Sequence, residues 1–327
     1  MKKRVSVFIA ACATVALSWA AVAQQARPAD YPTRLIRVVS PVNAGGLSDI
    51  ALRPAAQELS KRLGQPVIVE NRPGAGGLLA GRTCAKSAPD GYTICNVFND
   101  VISNAEFLFK DVGYEPYKDF VPITNGYYII NGFLAIPSLG VNNLKELIEL
   151  SKKRPEGLNV ASPATGITMF IQMLNQEAGA KFNVIPYKSG SEVANALLTK
   201  SVEAAAVGVG NLIPQVQAGN FKALSVDSAE RFPLLPDTPT LKEQGYDSLR
   251  IKSWYGFVAP AGTRRDIIEL LHREITAIYK DPDIQRNVLT NAGLEPILDT
   301  PEEFGRFLEL DRERTARQVQ RLGIKPQ

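Results

Sequence analysis

The chain has 327 residues, 37 basic and 33 acidic side chains, three cysteines and one histidine, His272. That inventory is too small for a histidine–cysteine zinc site and removes most histidine-dependent catalysis; a carboxylate-only metal site is left open by composition, but no EF-hand-like spacing is present, so no cofactor or metal is expected. The charges are interspersed instead of blocked, which gives no footprint of a nucleic-acid binder.

Met1-Lys2-Lys3-Arg4 is positive, Val5 to Trp19 is apolar but short for a membrane span, and Ala21-Val22-Ala23 is a small-x-small site. This pattern predicts a secretory leader over residues 1–23 with cleavage after Ala23. Ile9-Ala10-Ala11-Cys12 loosely fits a lipobox, but it leaves a very short apolar core before Cys12. Cleavage after Ala23 removes three basic and no acidic residues, leaving 34 basic against 33 acidic, so the exported protein is nearly electroneutral. No later window approaches the roughly twenty apolar residues of a spanning helix, so a soluble periplasmic product is expected. About 300 remaining residues favour two lobes with separate cores.

The apolar run Leu35 to Val39 predicts a first strand, followed by a glycine turn from Ser40 to Asp49. Helical spacing at Ala55 to Leu63, a strand at Val67 to Glu70 and a second glycine turn, Glu70 to Gly77, come next. A strand that ends in glycines and opens a helix leaves the first helical N–H groups unpaired and uncovered, which suits an anion. A helix over Leu78 to Ser87 and strands at Thr93 to Val97 and Val121 to Thr124 complete this series. A second series runs through a strand at Gly132 to Ile136, a helix at Leu144 to Lys153, a strand at Leu158 to Ala161 and a helix near Thr168 to Ala178. It ends with a strand at Phe182 to Pro186, a helix near Glu192 to Thr199, and strands at Glu203 to Val207 and Phe221 to Val226. The alternation predicts open parallel α/β sheets with ligands beyond the carboxyl ends of the strands.

Three motifs carry competing readings. Gly76 to Thr83 has the spacing of a phosphate-binding loop, but Arg82 stands where lysine is required, and glycines easing a tight turn is the simpler account. Cys84 and Cys95 fall on consecutive elements of an exported chain, where a disulfide and two reduced buried thiols both fit. His272 sits at the edge of a helical stripe of Ile268, Leu271, Ile275 and Ile278, as a rim histidine does.

The chain resembles the Bug-type solute receptors of tripartite tricarboxylate transporters. The likeness is carried by Pro41-x-x-x-Gly45-Gly46-x-x-Asp49, by Gly64 to Gly77 with its Asn71-Arg72-Pro73-Gly74-Ala75-Gly76-Gly77 string, and by Ala88-Pro89-Asp90-Gly91-Tyr92-Thr93. It continues in Tyr114 to Phe120, Ile185 to Gly190, Leu234 to Thr240 and Ser253 to Thr263. The resemblance implies a two-lobed periplasmic binding protein, type II-like, that closes on a small organic carboxylate and delivers it to permease subunits, with no catalytic residues. It also implies an inserted second domain: 31–125 and 230–327 form domain 1, and 126–229 domain 2. A monomer is expected.

Carried onto this sequence, the resemblance places the ligand between Asn43, Ala44, Gly45, Gly46 and Asp49, with Phe98 and Asn99, on one side. Ser162, Thr165, Gly166 and Thr168, with Gly210 and Asn211, stand on the other. Backbone N–H groups and the threonine hydroxyls would donate to a carboxylate, though Thr168 fits a helix N-cap equally. Pro54 suggests that the first helix starts there instead of at Asp49. Phe170, Tyr127, Tyr128 and Phe98 depart from the family pattern; they are expected in the core, and two or more of them in the cleft would indicate an aromatic ligand. A sensory receptor fits the same sequence, and a periplasmic enzyme, with Asp49 as its base, fits less well for want of a nucleophile.

Overall fold

A computed structural model describes residues 30–249 and 252–326. The leader, its cleavage site and Cys12 lie outside them. In chain order the strands are β1 (Ile36–Ser40), β2 (Val67–Asn71), β3 (Thr93–Phe98), β4 (Phe120–Ile129), β5 (Asn131–Ala135), β6 (Leu158–Ser162), β7 (Phe182–Pro186), β8 (Ala204–Gly208), β9 (Lys222–Val226), β10 (Trp254–Pro260) and β11 (Leu294–Pro296). The α-helices are α1 (Leu47–Leu63), α2 (Leu78–Ala85), α3 (Ala105–Leu108), α4 (Leu144–Lys153), α5 (Thr165–Ala178), α6 (Gly190–Leu198), α7 (Ile213–Gln217), α8 (Arg265–Lys280), α9 (Pro282–Ile284) and α10 (Pro301–Leu322). None is long and apolar enough to cross a membrane.

The strands form two sheets, ordered β11-β4-β10-β3-β1-β2 and β7-β6-β8-β5-β9. Each has a parallel half, β3-β1-β2 or β7-β6-β8, extended by antiparallel strands. The expected parallel α/β core is present in both sheets, and antiparallel strands are added to it. The reason is the chain path: the long β4 passes through Ile130 directly into β5, and β10 returns between β4 and β3.

Helices cover both faces of each sheet. On the first, α1 and α8 bury Leu52, Leu59, Ile268 and Leu271 on one side, while α2 and α10 bury Cys84, Phe304 and Leu308 on the other. On the second, α4 and α5 contribute Leu147 and Leu174 to one core, and α6 contributes Val193 and Leu197 to the opposite one. Each such fully buried aliphatic side chain stabilises by about 1.5–3 kcal/mol. The lobe boundary expected at residue 230 does not match this packing. Phe232, Leu235, Leu241 and Leu249 lie in the cores of the second sheet, because the chain after β9 folds back over it before crossing to β10.

Helix α1 starts at Leu47, not at Pro54, which lies inside it. An internal proline costs about 3 kcal/mol, but the buried stripe of Ala51, Leu52, Ala55, Ala56, Leu59 and Leu63 outweighs that loss. Cys84 of α2 and Cys95 of β3 are joined by a disulfide, with Cα atoms 6.2 Å apart.

Candidate functional site

Four connections leave the carboxyl ends of parallel strands and meet at one seam between the sheets: 41–46 after β1, 99–104 after β3, 163–164 after β6 and 209–212 after β8. Leu47 touches both Gly208 and Gly210, and a Cβ on Gly210 would lie 2.0 Å from the Ala292 carbonyl. Thr165, first residue of α5, lies close enough to the Asp100 carboxylate of the opposite sheet to favour its charged form.

The first glycine turn is held from within. Gly46 donates to the Asn43 carbonyl at 3.0 Å, and Gly45 donates to Asp49 Oδ2 at 2.9 Å. Asp49 also accepts from Arg53 Nε at 2.7 Å and, through Oδ1, from Asn71 Nδ2 at 2.9 Å. Burial alone would raise the Asp49 carboxyl, but the bonds from Arg53, Asn71 and Gly45 hold it below its ordinary range. Asp49 therefore ties the turn together and does not face a ligand; it is only 1 % exposed. Gly45 and Gly46 have likewise spent their N–H groups. The donors without intrahelical acceptors are those of Leu47, Ser48 and Asp49, the first residues of α1. Asn43 and Ala44 are exposed at the tip.

The second glycine turn props the first instead of facing the seam. Asn71 Nδ2 also donates to the Val42 carbonyl at 2.9 Å, and Arg72 N–H reaches the Ser40 carbonyl at 2.7 Å. A Cβ on Gly76 would meet Phe109, one on Gly77 would meet Val101 and Phe98, and Arg82 is turned onto the carbonyls of Asp111 and Val112. The phosphate-loop spacing thus serves close packing.

On the opposite side, the N-cap of α5 is Ala164, so Thr168 lies inside the helix and does not cap it. Its hydroxyl donates to Ser162 Oγ at 3.0 Å, and Ser162 donates to the Ala164 carbonyl at 3.1 Å. Those two hydroxyls brace the loop. Gly166, with open space around its Cα, and Ile167 present N–H groups that the helix start leaves without intrahelical acceptors. Gly210 is consumed by its close approach to Ala292 and Gly293, while Asn211 is exposed. Asn99 is also structural: Oδ1 accepts from Trp254 N–H at 3.0 Å and Nδ2 donates to Asp311 at 3.3 Å.

Of the aromatic residues singled out, Phe170 packs on Phe133 in the second core, Tyr128 on Phe307, and Tyr127 is fully buried with its hydroxyl 2.8 Å from Ser48 Oγ. Tyr128 is half-buried, and so is Phe98 at the end of β3, its ring centroid 5.4 Å from that of Tyr255. Tyr255 and Asp100 escaped the sequence reading. Asp100 is the residue after Phe98-Asn99, and an acid at a strand's carboxyl end was the available signal. Tyr255 has no hydroxyl hydrogen bond among the described residues, and burial followed by the charges of Tyr127 and Asp100 raises its pKa. His272 is a rim histidine, its Nε2 3.2 Å from the Asp299 carbonyl and its pKa lowered by burial.

A depression of about 380 Å³ at the other end of β1 and β3 is lined by Arg34, Arg37, Asp90 and Tyr92. Its cations are already matched, Arg34 with Asp90 and Arg37 with Glu70.

Compared with known proteins, residues 51–324 match the family model described as the tripartite tricarboxylate transporter family receptor, TctC. The chain belongs to that family. Like other TctC receptors it is a solute-binding protein and not an enzyme, built on the two-lobed α/β fold. It is 30 % identical to protein BugT of Bordetella pertussis over 298 residues, 90 % of this chain and 91 % of BugT. The solved periplasmic binding protein BugD is 32 % identical with a TM-score of 0.81, covering 91 % of this chain and all of BugD. A Rhodopseudomonas palustris protein solved with adipate is 27 % identical with a TM-score of 0.84, covering 91 % and 100 % of the two chains. MatC from the same organism, solved with bound malate, is 28 % identical with a TM-score of 0.78, covering 88 % and 100 %.

Proposed function

We propose that this TctC receptor is a periplasmic protein that captures a small organic carboxylate in the seam and hands it to the permease subunits of a tripartite transporter. The observation that carries this reading is that α1 and α5 each open directly after the carboxyl end of a parallel strand, one in each sheet, with Leu47 of α1 packed against Gly208 and Gly210 of the other sheet. Helix N-termini stabilise an anion without a cationic side chain, as suits a nearly neutral protein. The adipate and malate complexes of two relatives support the ligand class. We place the lobes at 31–129 with 252–326 and at 130–249, crossing at Ile130 and between Leu249 and Lys252. The donors assigned to the ligand are the first N–H groups of α1 and α5, with Phe98 and Tyr255 as the wall.

Calorimetry with adipate, malate and their dimethyl esters tests this. Binding of at least one diacid is expected, with its ester losing several kcal/mol through unmade charge-assisted bonds. Equal affinity for acid and ester rejects the anion site. Delivery is tested by uptake of the bound diacid in cells with and without the permease; uptake that ignores the permease favours a sensory role.

A further inference from the structure

Tyr255 of β10 stands opposite Phe98, the last residue of β3, on one side and opposite Tyr127 of β4 on the other. The three rings run side by side, Tyr255 tilted 30° from Phe98 at a centroid distance of 5.4 Å and 28° from Tyr127 at 5.9 Å. The two tyrosine hydroxyls fare differently. Ser48 of α1 spends its one hydroxyl proton on Asn96 Oδ1 at 2.7 Å, so Tyr127, 2.8 Å away, is the donor to Ser48 Oγ. Asn96 Nδ2 closes that chain on the Gly256 carbonyl at 3.2 Å. Tyr255 is 7 % exposed, and its hydroxyl has no hydrogen-bond partner among the described residues. Nor is that hydroxyl sealed away, as the unpartnered ones of Ser40 and Ser103 are. Running nearly parallel to Tyr127, the ring carries its hydroxyl toward the level of the first turn of α1, beside the 99–104 connection that Asn99 ties to Trp254 N–H. A donor left without an acceptor in so buried a place costs free energy that a ligand atom would recover.

We infer that Tyr255 selects the ligand: its hydroxyl donates to an oxygen atom that the ligand carries at the end away from the carboxylate held by the helix N-termini, and the Phe98 ring lines the carbon chain between the two. This rests on the carboxylate-receptor reading above. A phenol stays protonated at neutral pH, and packing between two other rings gives its single donor a fixed place. A second carboxylate, a carbonyl or a hydroxyl can accept that bond. A methyl end leaves the phenol unpaired and is penalised, so the discrimination is against plain alkyl acids.

Calorimetry of wild type and Tyr255→Phe tests this with adipate, malate and the monoacids hexanoate and butyrate, which share their chain lengths but end in a methyl group. The variant should bind whichever diacid the wild type binds about tenfold or more weakly, and leave the monoacids within about twofold. Thermal melts without ligand separate this role from a structural one. Tyr255→Phe removes no bond inside the protein and should melt as wild type does, whereas Tyr127→Phe breaks the chain through Ser48 and should melt lower. Equal losses for diacid and monoacid, or a drop in melting temperature matching that of Tyr127→Phe, overturn the selection by making the hydroxyl a packing group. A diacid bound equally tightly by wild type and Tyr255→Phe overturns it too, and leaves the carboxylate reading standing. If wild type binds neither diacid, that reading fails and the selection with it.

Discussion

Asp100 and Asp299 both bury a carboxyl far enough to push its pKa up to about 6, only partly offset by their hydrogen bonds. For such a group the folded value lies above the ordinary 3.8, so its stabilising contribution is complete below 3.8 and is lost as pH rises through about 6. Asp100→Asn should therefore raise stability at pH 8 by about 1–3 kcal/mol, with the gain shrinking as pH falls from about 6 to 4. A gap that stays constant from pH 4 to 8 in urea titrations rejects this. Asp49 has the opposite sign, held low by Arg53, Asn71 and Gly45, and its contribution fades in acid. Asn71→Ala removes two bonds from that turn and leaves Asp49 underbonded; a loss of about 1–3 kcal/mol in stability and weaker diacid binding are expected. The same turn shows what sequence could reveal. The Gly45-Gly46 pair was visible, but it is Gly45 that needs its freedom, at φ +78°, whereas Gly46 sits at an ordinary φ of −67°. Gly45→Val should thus be the more damaging change, measured by thermal unfolding.

Among the elements, those with a strong local period were legible: α4 and β7 fall on their predicted spans, and α1, β2, β3 and β9 on most of theirs. β10 and α10 were not predicted as elements. The seven residues Trp254–Pro260 are buried throughout, so no alternation marks them, and α10 carries only five fully buried side chains over 22 residues. The candidate site was legible as loops but not as atoms. Sequence named the turn at 43–49 and the loop at 162–168, yet which N–H groups stay free depends on bonds made across 20 or more positions, such as Asn71 to Asp49. The link between α2 and β3 gives an element-scale expectation. Replacing Cys84 and Cys95 together by alanine should cost about 2–3 kcal/mol, for a closed loop of this size in the chain-entropy model. Denaturant melts of wild type and double variant check it. Equal midpoints mean the bond constrains nothing.

At the scale of the whole molecule the lobes are joined at two kinds of place. One is the crossing, where Asn131 and Asp227 clamp the ends of the second lobe: Asn131 N–H and Nδ2 donate to the Asp227 carboxylate at 2.7 and 3.0 Å, and Asp227 N–H returns a bond at 2.9 Å. The other is α10. Its first turns pack Phe304 and Leu308 beside Trp254 on the first sheet, while at its far end Arg321 pairs with Glu177 of α5 at 2.5 Å and Leu322 rests on the second core. A stiff rod fastened to both halves, on top of a crossing that is already clamped, leaves little room for the halves to splay. What remains is a twist about the rod, and its far fastening is an ion pair half open to water. Salt in the surrounding medium screens such a pair. The dwell time of captured cargo should accordingly shorten as ionic strength rises, and stopped-flow release from wild type and Arg321→Gln would show it: the variant should lose that sensitivity. A receptor whose grip slackens in brine and tightens in dilute surroundings would load best when nutrients and ions are scarce together.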